Sequence, residues 1–174
     1  MFRKAYLLVL VLALSFILIA CGAEPTPTPP PVEGGFDIKP FLGIYEGTWT
    51  NTTTGASGPA VITVEANEAE KTVTLTLDFG GNYLGLNDPP PFPLTAKYDD
   101  NCAAVRGESE ILGKMDITID TEGNIIGNLN DLVGGTIPSM TYTGKIGDGR
   151  LDTDYTVTLA DGTVTVSELR TVRK

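Results

Sequence analysis

Histidine is absent from the 174 residues, which removes His-based triads, imidazole proton shuttles and every His-ligated zinc or copper site. Cysteine occurs twice, at Cys21 and Cys102, too few for a disulfide framework. Basic residues are scarce: 12 Lys and Arg stand against 22 Asp and Glu, a net charge of −10. A surface that acidic repels phosphate backbones, so no nucleic-acid partner is expected. The helical period is missing too, since no window from Phe36 to Lys174 sustains a 3.6-residue apolar repeat for three turns. What is plentiful is Thr, Val, Gly and Asp, the composition of an antiparallel β protein.

The chain opens with a short positive stretch, Met1-Phe2-Arg3-Lys4, and then an apolar run from Ala5 to Ala20. A positive start, an apolar middle and small residues at the end describe a secretory signal. The run is about 16 residues, where a spanning helix needs roughly 20. It closes on Leu18-Ile19-Ala20-Cys21, which resembles a bacterial lipobox. That resemblance implies a signal peptide over 1–20, acyl chains such as palmitate carried at Cys21, and a protein of the bacterial cell envelope, extracytoplasmic and anchored to a membrane by its N-terminal lipid. An uncleaved anchor with an incidental cysteine is the alternative. Two or more acyl chains hold a protein stably on a bilayer. With Arg3 and Lys4 removed, the net charge falls from −10 to −12. Residues 21–35 follow as lipidated cysteine and linker: five of the twelve prolines fall in Pro25–Pro31, which favours an extended polyproline spacer.

Residues 36–174 read as one β domain. Val73, Leu75, Leu77 and Phe79 alternate with Thr and Asp; Ile62 and Val64, Met115, Ile117 and Ile119, and Tyr155, Val157 and Leu159 do likewise. Val164 and Val166 alternate with Thr163 and Thr165, which predicts valines inside and threonines outside on the last strand. Turn chemistry separates the runs: Asp120-Thr121-Glu122-Gly123-Asn124, Asp148-Gly149 and Asp161-Gly162 are hairpin signals. The expectation is an all-β, antiparallel up-and-down meander of about eight to ten strands closed into a barrel, with a two-sheet β-sandwich as the alternative. The strands are placed at 43–51, 59–66, 71–79, 93–99, 103–112, 114–120, 124–130, 140–147, 150–160 and 163–172.

Three short motifs carry a family resemblance. Gly47-Thr48-Trp49 is similar to the Gly-x-Trp signature of the first strand in calycins, the lipocalin-like barrels. Thr153-Asp154-Tyr155 is similar to the Thr-Asp-Tyr motif that lipocalins carry, and Arg170 stands near the end of the last strand. The resemblance implies a calycin-like barrel in which Trp49 plugs the closed end, Gly47 lets the chain bend around it, and Arg170 lies over the indole as a cation–π staple. Strand parity leaves Arg173 as the other candidate. The family's C-terminal helix and disulfide have no counterpart in this sequence.

The segment Gly80–Pro93 is long for a hairpin and carries Tyr83, Leu84, Leu86 and Phe92 in a frame stiffened by Pro89–Pro91. Such a loop acts as a lid or partner contact at a barrel mouth, or folds back as extra core. The stretch Asn130–Ser139 is placed beside the same opening. Leu75, Leu77, Phe79 and Tyr155, with Tyr83, Leu86 and Phe92 at the mouth, form the candidate ligand-binding set. Asp148, Asp152 and Asp154, and Asp99-Asp100-Asn101, offer oxygen ligands for Ca²⁺ but without EF-hand spacing, and no metal or cofactor is expected. Cys102 has no histidine to activate it and reads as a small buried hydrophobe. No catalytic constellation is recognisable, so the chain is not read as an enzyme. Two functions remain: non-covalent binding of a small, mainly apolar ligand, or a filled barrel that binds a protein partner, for instance as an envelope protease inhibitor or adhesion module. A pocket of several hundred Å³ separates the first from the second.

Overall fold

Period-two segments that bury one face still have to satisfy both backbone edges, and here they do so in chain order. The computed structural model describes residues 35–174; the expected signal peptide, Cys21 and the linker up to residue 34 lie outside the described residues. The strands are β1 (Gly43–Asn51), β2 (Ser57–Asn67), β3 (Thr72–Phe79), β4 (Asn82–Tyr83), β5 (Leu86–Asn87), β6 (Phe92–Tyr98), β7 (Cys102–Ser109), β8 (Gly113–Asp120), β9 (Asn124–Asp131), β10 (Ile137–Gly147), β11 (Arg150–Thr158) and β12 (Val164–Arg173). Ten of them form a closed antiparallel barrel in the order β1-β12-β11-β10-β9-β8-β7-β6-β3-β2, and β4 and β5 make a separate small hairpin. The barrel, not the sandwich, is therefore the architecture.

Turn chemistry sets the connections. Asp148 and Gly149 both take positive φ, 50° and 72°, as a type I′ turn between β10 and β11 requires. Gly123 adopts φ 81° and its N–H bonds the Asp120 carbonyl at 3.0 Å, while the Asp120 carboxylate accepts the N–H groups of Glu122 and Asn124, each at 2.9 Å.

The chain enters at one end, the base, where the Phe36 N–H bonds the Asp100 carbonyl at 2.8 Å. A single 3₁₀ turn, Lys39–Phe41, then lays Phe36, Ile38 and Phe41 across that opening; all three are buried. Tyr45, fully buried on β1, donates its hydroxyl to the Phe41 carbonyl at 2.9 Å. Arg173 pairs with Tyr45 across the β1–β12 seam, and its guanidinium donates to the carbonyls of Pro40 at 2.9 Å and Leu42 at 3.4 Å. The base is thus closed by Arg173 and by Tyr45, which stands two residues before the Gly-x-Trp motif.

Trp49 does not plug this closed end as expected but stands at the other, the mouth, beside Tyr83, and Arg170 is not over it. Trp49 pairs with Leu169, which shares its inward face, so Arg170 points outward. There its guanidinium pairs with Asp154 and with Glu168 at 3.0 Å and donates to the Thr153 carbonyl at 2.9 Å. The motif residues do meet, through Asp154 and Arg170, but on the outer wall. Gly47 earns its place otherwise: a Cβ on it would lie 1.9 Å from the Arg170 carbonyl oxygen, so only glycine lets β1 and β12 close.

The same register inverts the expected faces of β12. Thr165, Ser167 and Thr171 are buried, whereas Val164 and Val166 are among the exposed large hydrophobic residues. Their positions are dictated by neighbours: Ser167 lies opposite Tyr155 and Leu169 opposite Trp49. Small hydroxylated side chains fit where two large rings already fill the interior.

Candidate functional site

Inside the barrel, below the mouth, is a cavity of about 90 Å³. Its wall is aliphatic and aromatic, with Leu75 and Leu77 from β3, Leu94 from β6, Ile117 from β8 and Leu129 from β9; the polar exceptions are Thr153 and the tyrosines Tyr83, Tyr142 and Tyr155. No charged side chain lines it among the described residues.

The mouth is covered by the β4–β5 hairpin. Tyr83 turns down from it into the barrel and is buried. Its ring stacks on Phe79 with centroids 4.2 Å apart and planes at 24°. It meets Trp49 edge-on at 5.5 Å and Tyr155 at 6.5 Å. The Trp49 indole N–H donates to the Gly80 carbonyl at 2.9 Å, and Gly58, opposite Trp49 on β2, leaves room for it: a Cβ there would stand 2.6 Å from the indole nitrogen. Tyr155 also pairs with Ser167 across the β11–β12 ladder. Burial raises all three phenols: Tyr83 and Tyr142 rise well above the ordinary value, and Tyr155 is pushed up to about 12, with Ser167 and Tyr83 opposing part of the rise. The site therefore offers neutral hydroxyls at neutral pH.

One seam is incomplete. β6 and β7 pair only at Lys97–Ala104 and Tyr98–Ala103, near the base, while β3 and β6 keep pairing up to Leu77–Phe92. From Phe92 to Ala96 on one side and Val105 to Ser109 on the other the strands part. Phe92, Leu94, Ala96 and Val105 line the cavity along that gap. Outside it, a groove of about 570 Å³ runs between Leu86–Pro90 of the hairpin and the loops carrying Glu110, Ile111, Val133 and Gly134.

The fold has solved counterparts of low sequence similarity. No protein-family model matches the sequence, and no curated protein does. A DUF3598-family protein of unknown function from Nostoc punctiforme superposes with a TM-score of 0.55 at 11% identity, over 81% of this chain and 50% of its own. The chain thus spans about half the length of that protein. Rv2717c from M. tuberculosis superposes with a TM-score of 0.52 at 12% identity, over 79% of this chain and 94% of its own. At such identities the likeness is one of fold.

Of the candidate ligand-binding residues, Leu75, Leu77, Phe79, Tyr83, Phe92 and Tyr155 all line the cavity. Leu86 does not; it pairs with Tyr83 in the hairpin but is only half-buried and lies on the outer groove. Val133 and Gly134 do flank the groove, as placed from sequence. Tyr142 and Thr153 were missed. Tyr142 follows the inward parity of Met140, a signal that was available; Thr153 was hidden because threonine elsewhere marks the wet face. The acidic clusters serve the fold. Asp99 accepts the N–H groups of Asn101 at 2.8 Å and Cys102 at 3.1 Å. Asp152 pairs with Arg150 at 2.8 Å and accepts the Thr171 N–H at 3.0 Å. Cys102 is half-buried at the start of β7 rather than buried as expected.

Proposed function

We propose that this is a calycin-like, lipid-anchored protein of the bacterial cell envelope that binds a small, mainly apolar molecule non-covalently inside the barrel. The observation that carries the reading is the uncharged interior cavity, lined by aliphatic side chains and by Tyr83, Tyr142 and Tyr155. Burial of ligand apolar surface would contribute about 25 cal/mol per Å², and the hydroxyls would orient the ligand. No chemistry on the ligand is part of the reading. The incomplete β6–β7 seam and the hairpin above it supply the way in.

The cavity at rest is well below the roughly 300 Å³ at which ligand pockets begin. That observation favours a second reading, in which the filled barrel presents the hairpin and its groove to a protein partner. Native mass spectrometry of the freshly purified barrel, residues 35–174, separates the two. A co-purifying small molecule, released on denaturation, is the expected result. A bare mass that stays bare after incubation with a panel of apolar compounds would favour the protein-binding module.

A further inference from the structure

We infer that the Tyr83 ring holds the place of the ligand's own ring, so that the molecule the barrel takes is a small neutral phenol with a short apolar tail. This rests on the ligand-binding reading above and narrows it to a chemical class.

The argument starts from space. An apolar cavity of about 150 Å³ accommodates a benzene ring, and the resting cavity, at about 90 Å³, is smaller than that. With Tyr83 in place no ring enters. With Tyr83 withdrawn, the volume of its phenol joins the cavity, and the combined space is that of one ring plus a few carbons.

The slot left behind has the features a phenol needs. Phe79 offers a face at stacking distance, 4.2 Å, and Trp49 and Tyr155 offer edges at 5.5 Å and 6.5 Å. Offset stacking on one side with edge contacts on others is the preferred environment of an aromatic ring. The ring that fills the slot is itself a phenol: Tyr83 is buried there against the ring of Tyr155, so the slot already holds a hydroxyl-bearing ring. Below the slot the wall is largely aliphatic, with Leu75, Leu77 and Leu129, which suits a tail. The absence of charge along the lining excludes anionic or cationic ligands, for which a buried counter-charge would be needed.

Tyr83 is also carried on a segment built to let go. The hairpin has two residue pairs, Asn82–Asn87 and Tyr83–Leu86. Its backbone ties to the barrel are made at Gly80, whose N–H bonds the Pro59 carbonyl at 3.0 Å and whose carbonyl accepts from Trp49. Gly81 follows with φ 81° and is bonded only within the hairpin, its carbonyl accepting the Asp88 N–H at 2.6 Å and its N–H donating to the Asp88 carboxylate at 3.3 Å. At the tip, Leu84 and Gly85 take φ 53° and 81°, a type I′ turn in which Asn, Asp or Gly is favoured at both places; leucine there bears the steric penalty that glycine avoids. Asp88 is left-handed as well, at φ 49°. Strain in a segment over a binding site lowers the barrier to its displacement.

Trp49, the single tryptophan of the chain, touches both the Tyr83 ring and Gly80, so its fluorescence reads the hairpin directly. The test is a titration of the full chain with 4-propylphenol, propylbenzene and 1-hexanol. The expected result is saturable 4-propylphenol binding with a change in Trp49 emission, about tenfold tighter than propylbenzene, as one hydrogen bond provides. Tyr155→Phe should shrink that preference to less than about threefold while leaving propylbenzene affinity in place. Tyr83→Ala should bind 4-propylphenol more tightly, because no ring has to be displaced; weaker binding would make Tyr83 a wall of the site and overturn the inference. If hexanol saturates the barrel and the two aromatics do not, or if the phenol shows no advantage over propylbenzene, the phenol assignment fails and the apolar-ligand reading stands. If none of the three binds, both fail together.

Discussion

The indole N–H of Trp49 donates to the Gly80 carbonyl at 2.9 Å across 31 positions of sequence, tying the first strand to the root of the hairpin. Trp49→Ala removes a buried ring and should lower stability by about 3–5 kcal/mol. Trp49→Phe keeps an aromatic body but leaves that carbonyl unpaired, which costs about 1–2 kcal/mol. Urea unfolding of the two variants measures both. A loss below about 1 kcal/mol for the alanine variant would contradict the packing of the mouth.

Gly47→Ala tests the closing seam. Its Cβ would meet the Arg170 carbonyl at 1.9 Å and the Thr171 Cα at 2.7 Å, both backbone atoms that cannot step aside alone. A destabilisation of about 1–3 kcal/mol or more is expected from overpacking of this kind. A variant as stable as the parent would mean that β1 and β12 do not approach so closely.

At the base, Tyr45→Phe deletes the hydroxyl that donates to Phe41 and leaves a buried acceptor unsatisfied, a loss of about 1–3 kcal/mol. Arg170→Ala acts on the exposed outer face and should change stability by no more than about 1 kcal/mol. The cation–π arrangement expected from sequence would have reversed this order, so comparing the two melting temperatures is decisive.

Alkali should unfold the barrel through its tyrosines. Tyr83, Tyr142 and Tyr155 all have folded pKa values raised by burial above the ordinary phenol value near 10, Tyr155 to about 12. Below pH 10 both folded and unfolded chains are protonated and stability is flat. Above it only the unfolded chain ionises, so each tyrosine removes about 1.4 kcal/mol per pH unit until its folded pKa is passed. Tyr155→Phe should make the decline of melting temperature shallower between pH 10 and 12. Phenolate absorbance in which every tyrosine titrates near pH 10 with the fold intact would show these rings to be solvated.

Cys21→Ser examines the proposed anchor. Without the thiol no lipid can be attached, and the protein should move from the membrane to the soluble fraction. Persistence in washed membranes would rule out lipid attachment at this residue.

The ten barrel strands were legible because each buries one face, and alternation survives in any such strand. β3, β8 and β9 fall within a residue or two of their expected bounds. The hairpin strands β4 and β5 were not, since two residues carry no period. The faces of β12 were misread for a subtler reason. Alternation shows that a strand has two sides, but which side turns inward is set by neighbours, here Trp49, which pairs with Leu169, and Tyr155, which pairs with the small Ser167. The placement of Arg170 failed with it, because one step of register exchanges the two faces. The cavity residues of β3 were readable from pattern; the depth to which Tyr83 enters was not, because it depends on a turn that puts leucine in a glycine-like conformation.

The pairing of β1 with β12 bears on how quickly the molecule can form. The bond from Arg173 to Pro40 joins residues 133 positions apart, and neither strand has its second neighbour until the other arrives. Nearly every other pairing is between strands adjacent in sequence, so a growing meander can assemble step by step, but its outer edge stays open to foreign chains until the final ten residues dock. High contact order of this kind places folding in the millisecond-to-second range. During that interval the unsealed edges, and not any flaw in the finished barrel, are where aggregation competes with folding, and a chain cut short before β12 would remain in that vulnerable state.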